Sequence, residues 1–170
     1  MKGFQTLAKE FARVLGFSAE NLDTLTRAAT LHDIGKIGIS KDIIQKKSFL
    51  NDEGWLIMRK HVEIGYRIAQ ASGEFAHLAD IILYHHEWWN GQGYPHGLKG
   101  EEIPLMSRII SIMDAFDVMI HRQNKPTMTT EEALQELALK AGSQFDPSLV
   151  QLFIQMVNEI SDLKEVTLSS

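Results

Sequence analysis

Residues 28–38 read AATLHDIGKIG, and this stretch joins a helical pattern to an abrupt break. Its first four residues continue a segment whose apolar side chains recur at helical spacing, which predicts a buried helix. His32 and Asp33 stand at the end of that helix, and Gly35 and Gly38 then interrupt the pattern. By itself, a His-Asp pair at a helix end is usually a helix cap or a surface salt bridge. If the pair faces inward, the buried carboxylate requires a compensating cation.

The remainder of the chain repeats the helical spacing of apolar residues, with capping signals at the expected places. Gly16 ends the first apolar stripe where a helix C-terminus favours glycine, and Ser18 and Asn51 are suited to cap the helices that follow them. Thr129 and Glu132 form a capping box. Because the sequence contains neither an alternating strand pattern nor an internal repeat, it predicts an all-α fold, a single bundle of about seven helices.

Three further expectations concern boundaries and burial. Glu87–Ile103 is rich in glycine and aromatic residues and is predicted to be one long ordered loop. One domain is expected over residues 1–163, followed by a frayed tail at Lys164–Ser170. The helix that follows Asn51 is expected to turn its apolar side chains inward, namely Trp55, Met58, Val62 and Ile68.

Composition excludes several classes of protein. The 170 residues suit one domain, and the 44% hydrophobic and 23% charged residues are close to a globular average. The absence of cysteine excludes disulfides, thiolate metal sites and a cysteine nucleophile. A net charge of −5 disfavours binding of long nucleic acid, and no apolar run approaches the ~20 residues of a membrane span. The sequence therefore predicts a cytoplasmic domain with a substantial core.

Other residues that could bind metal lie far from residues 28–38 in sequence. His85 and His86 end a predicted helix before the long loop, His61 precedes Gly65 by one turn, and Asp114 interrupts an apolar run. Each alone is more often a core or surface residue than a ligand. With His32 and Asp33 they supply four imidazoles and two carboxylates without a thiolate, which suits manganese, iron, cobalt, nickel or zinc. Two ions bridged by Asp33 would fit this set.

In order and spacing, these residues and their surroundings closely resemble the HD-GYP family. The matching segments are Leu31–Ile39, His61, His85–Pro95, Gly97–Leu105, Arg108–Asp114 and Gly142–Pro147. The resemblance covers roughly Leu7 to Phe153. It is specific, because the long glycine-rich loop distinguishes this family from other His-Asp phosphohydrolases.

The resemblance implies an HD-type helical bundle and a bacterial, metal-dependent phosphodiesterase that hydrolyses cyclic di-GMP. Two divalent ions, with iron or manganese expected, would activate a hydroxide and hold the phosphoryl oxygens in line. Asp33 matches the bridging carboxylate, and Lys36 matches the lysine that contacts the scissile phosphate; these two are the expected catalytic residues. The positions that match metal ligands are His32, Asp33, His61, His85, His86 and Asp114.

The resemblance also implies substrate contacts and a protein partner. The expected substrate-binding residues are Lys36, Gly93, Tyr94, Pro95, Arg122 and Lys125. The last two match the basic residues of a family segment when one residue is deleted before Arg122; without that gap the positions become Gln123 and Pro126, and both charges vanish. Diguanylate cyclase (GGDEF) domains are expected to contact the Gly-Tyr-Pro loop.

Departures from the family pattern leave two alternatives open. The family has a histidine in its first helix that would fall just before Met1 in this numbering. Its absence, together with the altered basic segment, motivates a catalytically weak or inactive domain that binds cyclic di-GMP or a partner protein. The other alternative is a His-Asp phosphohydrolase acting on a different nucleotide, against which the glycine-rich loop argues.

Overall fold

All regular secondary structure in the described part of the chain is helical. The computed structural model describes residues 2–46, 50–121 and 127–168, with side chains described for residues 4–161 of these ranges. Within them, extended pairing is limited to two isolated bridges, Asn90 with Lys99 and Ala141 with Phe145. The prediction of an all-α bundle is confirmed.

The described ranges contain nine α-helices and three short 3₁₀ turns. The helices are α1 (Lys2–Val14), α2 (Ala19–Leu31), α3 (Lys41–Ile44), α4 (Asp52–Arg59), α5 (His61–Ala71), α6 (Ala79–Tyr84), α7 (Leu105–His121), α8 (Thr130–Lys140) and α9 (Pro147–Leu168). The 3₁₀ turns are Ile34–Gly38, Ala76–Leu78 and Gly100–Glu102. The number exceeds the predicted seven because α3 is a single extra turn and because the third predicted helix divides at Lys60.

The local capping chemistry sets the helix ends as predicted. Gly16 has φ +66°, and the N–H groups of Gly16 and Phe17 donate to carbonyls in the last turn of α1, which closes that helix. Ser18 and Asn51 accept hydrogen bonds from backbone N–H groups in the first turns of α2 and α4. The capping box of Thr129 and Glu132 forms at the start of α8.

The core forms around α7, which packs against α1, α6, α8 and α9. Its apolar face includes Ile109, Ile112 and Met113, all fully buried. Phe153 of α9 makes edge-to-face ring contacts with Phe11 and Phe116. Full burial of each such side chain contributes about 1.5–3 kcal/mol to stability, so this face holds α7 firmly in the middle of the bundle.

The expected burial of Trp55 and Ile68 is wrong. Trp55 is 51% exposed and Ile68 is 39% exposed, whereas Val62 is fully buried. Trp55 lies on α4, which ends before Lys60 and does not continue into α5 as one helix. Ile68 follows Val62 by six residues within α5, about 240° around the helix, so the two side chains lie on different faces.

The frayed C-terminal tail and the boundary of the domain stay predictions. Helix α9 continues to Leu168, but the side chains beyond Ser161 lie outside the described residues, so the frayed tail stays a prediction. The division into a domain over residues 1–163 and a tail is likewise untested. Among the helices that the structure describes, none combines the length and apolarity that a bilayer span requires.

Candidate metal centre

Two glycines allow three elements to meet around the His-Asp pair. A Cβ atom on Gly35 would lie 1.8 Å from the carbonyl oxygen of His61 and 2.5 Å from the amide nitrogen of Gly65. A Cβ atom on Gly65 would lie 2.8 Å from Cγ2 of Ile82 on α6. The turn Ile34–Gly38 therefore packs on the backbone of α5, and α5 packs closely on α6 at Gly65.

Helix ends deliver most of the candidate ligands to this junction. His32 follows the last residue of α2, His61 is the first residue of α5, and His85 follows the last residue of α6. Asp114 instead projects from the middle of α7, whose apolar face lies in the hydrophobic core. Residues that are up to 82 positions apart in sequence, His32 and Asp114, thus meet at one place.

Three imidazoles make the same hydrogen bond with the backbone. The Nδ1 atoms of His32, His61 and His85 lie 2.7, 2.7 and 2.6 Å from the carbonyl oxygens three residues earlier in each case. A carbonyl oxygen only accepts, so each Nδ1 carries the proton and each Nε2 is left with a free lone pair. All three Nε2 atoms are buried without a hydrogen-bond partner.

The unpartnered nitrogens surround Asp33. Its Oδ1 lies 3.5 Å from Nε2 of His61, and its Oδ2 lies 3.5 Å from Nε2 of His32. Nε2 of His32 is also 3.6 Å from Oδ1 of Asp114. Ligand atoms of Asp33, His61, His85 and His86 all lie within 4.8 Å of one another. One carboxylate thus faces two groups of ligands, one on each oxygen.

Burial keeps most of these imidazoles neutral. Desolvation lowers the pKa of His86 to about 3, with the neighbouring histidines adding to the effect, and lowers the pKa of His85 and His61 below the ordinary value. His32 differs: burial acts to lower its pKa, but the contact with Asp114 and the charges of both aspartates outweigh burial and raise it. Neutral imidazole is the form that binds metal.

The same cluster fits divalent cations on chemical grounds. The three Nε2 lone pairs have no donor and are buried acceptors left unsatisfied, at a cost of about 1–3 kcal/mol for each group. A cation satisfies all of them at once, and the hydrogen bond from each Nδ1 to a carbonyl is the outer contact that metal-binding histidines usually make. The donor set of imidazole and carboxylate suits iron, manganese or zinc.

Lys36 brings a positive charge to the cluster from the turn Ile34–Gly38. Its Nζ donates a hydrogen bond to Oδ2 of Asp33, three residues earlier, and its side chain is 40% exposed. Because the ammonium is partly exposed, it can also reach a ligand that enters from solvent. Its contact with the scissile phosphate, which the resemblance implies, stays a prediction.

The long loop folds back over His86. A Cβ atom on Gly93 would lie 2.2 Å from the amide nitrogen of Trp88, so only glycine permits this return. The N–H of Tyr94 donates to the carbonyl oxygen of His86 at 3.2 Å, and the Tyr94 ring stacks on the His86 imidazole with a centroid distance of 5.1 Å. Pro95 follows a cis peptide bond. The predicted Gly93-Tyr94-Pro95 motif therefore lies against the metal centre.

Glu87 is a functional candidate that the sequence analysis missed. It is 2% exposed, and its carboxylate accepts hydrogen bonds from the backbone N–H groups of His96, Gly97 and Leu98 at 2.7, 3.0 and 3.1 Å. These bonds tie the far side of the loop to the residue that follows His86. The signal available in the sequence was a glutamate directly before a glycine-rich segment, whose N–H groups would have no ladder partners.

The remaining candidate residues either make structural contacts or lie outside the described residues. Arg122 and Lys125 fall outside the described residues, so their predicted substrate contacts stay predictions. Nδ1 of His121 lies 3.0 Å from Oδ1 of Asp117, one turn earlier on α7. The Trp89 ring packs under the guanidinium of Arg108, so this side chain supports the loop.

Known proteins are similar to this chain over most of its length. The family model described as HD domain matches residues 2–149. A cyclic di-GMP phosphodiesterase from Thermotoga maritima is 39% identical over 160 residues, which are 92% of this chain and 44% of that protein. A 3'3'-cGAMP-specific phosphodiesterase 2 from Vibrio cholerae is 36% identical over 154 residues, 89% of this chain and 30% of that protein. The chain thus spans less than half the length of these two relatives.

A solved structure shows the same fold. The HDG"Y"P protein Bd1817 from Bdellovibrio bacteriovorus superposes with a TM-score of 0.73 over 91% of this chain and 50% of that protein, at 24% sequence identity. The family itself is shown by the match to the family model and by the order of the motifs along the chain. The chain belongs to the HD-domain family, in its HD-GYP branch.

Proposed function

We propose that this chain is a phosphodiesterase that hydrolyses cyclic di-GMP at a centre of two divalent ions. The observation that carries the proposal is the set of three buried, unpartnered Nε2 atoms on His32, His61 and His85 around the carboxylate of Asp33. Such an arrangement has no evident structural purpose without cations. The names of the two relatives add the substrate class, since both act on cyclic dinucleotides.

We assign the ligands to two groups that share Asp33. Oδ1 of Asp33 would join His61, His85 and His86 in holding one ion, and Oδ2 would join His32 and Asp114 in holding the other. When bound, two such ions supply a hydroxide at neutral pH and neutralise charge on the phosphoryl oxygens. Iron or manganese is our proposed metal, because carboxylate and imidazole ligands without thiolate suit either.

The chain's own residues would orient the substrate around that centre. Lys36 can shift its ammonium hydrogen bond from Asp33 to a non-bridging phosphoryl oxygen, where negative charge grows in the transition state. Tyr94 shields His86 from water, and its own burial raises its pKa, so its hydroxyl stays protonated and can donate a hydrogen bond. Gly93 and Pro95 would shape the loop that presents Tyr94.

Reconstitution with metal tests the proposal directly. The chain is stripped with a chelator, reloaded anaerobically with Mn²⁺ or Fe²⁺, and incubated with cyclic di-GMP, and the products are separated by chromatography. We expect linear dinucleotide or GMP from the wild type, little product from His32→Ala, and wild-type rates from His77→Ala, whose side chain is exposed. Metal-loaded protein that binds cyclic di-GMP by calorimetry without product would support the inactive binding domain instead.

The Vibrio cholerae relative makes 3'3'-cGAMP the second candidate substrate. The two dinucleotides share the macrocycle and both phosphodiesters and differ in one base. Parallel measurement of kcat/KM for each on the same metal-loaded sample decides between them. Our proposal expects the higher value for cyclic di-GMP.

We also propose the setting in which the chain acts. Residues 1–163 would form the catalytic domain, and it would work in the cytoplasm, where nucleotide substrates made from GTP are available. The exposed part of the loop, which includes Gln92, His96 and Lys99, would offer a surface to diguanylate cyclase (GGDEF) domains. Loss of binding to a purified GGDEF domain on Gln92→Ala and Lys99→Ala substitution, with turnover retained, would support that contact.

A further inference from the structure

Arg59 is an exposed cation at the edge of the metal centre. It is the last residue of α4, and its guanidinium carbon lies 5.0 Å from the centroid of the Tyr94 ring. Among the described residues, no carboxylate forms an ion pair with it. An exposed arginine ordinarily samples many rotamers, but stacking on an aromatic ring favours one position.

The Tyr94 side chain connects the guanidinium of Arg59 to the candidate ligands. The Tyr94 ring that carries Arg59 also stacks on His86, at 5.1 Å and with 26° between the planes. Arg59, Tyr94 and His86 thus form a row of contacts that leads from solvent to the metal centre. The backbone adds a second link, since Met58, the neighbour of Arg59, accepts the Nδ1 hydrogen bond of His61.

The substrate carries a second negative charge that the candidate metal centre would not contact. A cyclic dinucleotide carries two phosphodiesters on opposite sides of its macrocycle, and the ions together with Lys36 would engage only the one being cleaved. The second phosphodiester remains anionic as the molecule leaves water, so a cation near the mouth of the site would favour binding. A guanidinium suits this task, because it pairs with two phosphate oxygens at once.

We propose that Arg59 is a substrate-positioning residue that pairs with the phosphodiester that is not being cleaved, with Tyr94 holding its guanidinium in place. The inference rests on the proposed function, and it adds a contact on α4 to the residues that the family motifs supply. It gives the Gly93-Tyr94-Pro95 loop a second task, since the ring that covers His86 also fixes Arg59. The row of contacts orients the macrocycle relative to Asp33.

The test compares two substrates in Mn²⁺-loaded protein. Cyclic di-GMP has two phosphodiesters, whereas bis(p-nitrophenyl) phosphate has only the one that is cleaved. We expect Arg59→Ala to raise KM for cyclic di-GMP about tenfold or more, as for loss of a charge-assisted contact, with kcat changed less than twofold. Kinetics on bis(p-nitrophenyl) phosphate should stay at the wild-type level, and Arg59→Lys should recover part of the loss.

The matched control is Arg67→Ala, which removes the same charge from an exposed position on α5. It should leave both substrates unaffected, and thermal unfolding should confirm that every variant is folded. The inference is overturned if Arg59→Ala behaves like Arg67→Ala, or if it slows both substrates equally, which would indicate a packing role.

A failure of the proposed function would look different. Wild-type protein would then cleave neither substrate, and calorimetric titration with cyclic di-GMP would replace turnover as the readout. Arg59→Ala should weaken the Kd about tenfold relative to Arg67→Ala. Equal Kd values for the two variants, or no binding by the wild type, would refute the role of Arg59.

Discussion

Oδ1 of Asp33 lies 3.5 Å from Nε2 of His61, and neither atom has a proton to share with the other. The proton of His61 is on Nδ1, where it is donated to the carbonyl oxygen of Met58. A buried imidazole nitrogen thus faces a half-buried carboxylate oxygen at a distance too long for a strong hydrogen bond. Nε2 of His32 lies 3.5 Å from the other oxygen, Oδ2, so imidazole nitrogens flank both oxygens of one carboxylate, which is the basis for placing a cation on each side.

Asp33→Asn should abolish binding of both ions. The amide keeps the shape of the side chain but removes the negative charge that both groups of ligands share. Metal analysis after dialysis against Mn²⁺ should give less than one tenth of the wild-type content, in line with the 10–100-fold losses that follow even from outer-contact mutations. Asp80→Asn, an exposed change of the same kind on α6, should retain wild-type metal content. Full occupancy in Asp33→Asn would contradict the assignment.

Glu87→Gln should loosen the loop while leaving the ligands in place. The amide can accept through only one atom and turns an NH₂ group toward backbone N–H groups, so at least one of the three bonds is lost. We expect a decrease of about 1–3 kcal/mol in the free energy of unfolding, a lower kcat and unchanged metal content. Urea denaturation and metal analysis measure these quantities.

The control for that change is Glu101→Gln, an exposed residue of the turn Gly100–Glu102. It should leave stability and turnover at wild-type values. If Glu87→Gln proves equally silent, the carboxylate does not position the loop. If it instead removes the metal, Glu87 acts on the ligands themselves.

Gly35→Ala should destabilise the fold and damage the metal centre together. The added Cβ atom would lie 1.8 Å from the carbonyl oxygen of His61, and this contact is with backbone that cannot rotate away. Separation of the turn from α5 would move Asp33 relative to His61. We expect a loss of about 1–3 kcal/mol in the free energy of unfolding and reduced Mn²⁺ content.

Gly73 offers the matched control, because a Cβ atom there would meet nothing within 4 Å and the residue has no positive φ. Gly73→Ala should be neutral or stabilise the protein by up to about 1 kcal/mol, since it lowers the entropy of the unfolded chain. Equal effects of the two substitutions would show that the close approach at Gly35 is unimportant.

Metal-free protein should lose stability as the pH falls from about 7 toward 3. Burial lowers the pKa of His86 to about 3 and that of His85 well below its ordinary value. In the unfolded chain both histidines bind a proton near pH 6.5, so the unfolded state binds more protons across this window. Their contribution is complete above about pH 6.5 and declines below it, by at most about 1.4 kcal/mol per pH unit for each histidine.

His32 opposes this trend, because its pKa is raised and its contribution is present at low pH and lost as pH rises. The pKa is lowered at three histidines, because His61 shifts in the same direction as His85 and His86, and these outnumber His32. Urea unfolding at pH 7.5 and 5.0 in the presence of a chelator measures the net slope. His86→Gln should flatten the slope, and the exposed His77→Gln should not; a slope unaffected by His86→Gln would contradict the prediction.

The accuracy of the sequence predictions follows the range of the interactions involved. The caps at Ser18, Asn51 and Thr129 are local, because a side chain bonds to an N–H within three residues, and all three are confirmed. The burial of Trp55 and Ile68 depended on which helix face meets the core, and it was wrong because α4 and α5 are separate helices and Ile68 lies on a different face of α5 from Val62. Glu87 was missed because its partners are nine to eleven residues away in a loop.

The helical class, the capping residues and the set of imidazoles and carboxylates could be read from the amino-acid sequence, because these follow from residue type and short spacing. The packing of the bundle sets which nitrogens face Asp33, brings Glu87 to the far side of the loop and places Arg59 on Tyr94. Those relations depend on helix ends from distant parts of the chain meeting where Gly35 and Gly65 allow backbone to touch backbone. A local sequence pattern does not predict such a contact, because the packing of the whole bundle positions both of its residues.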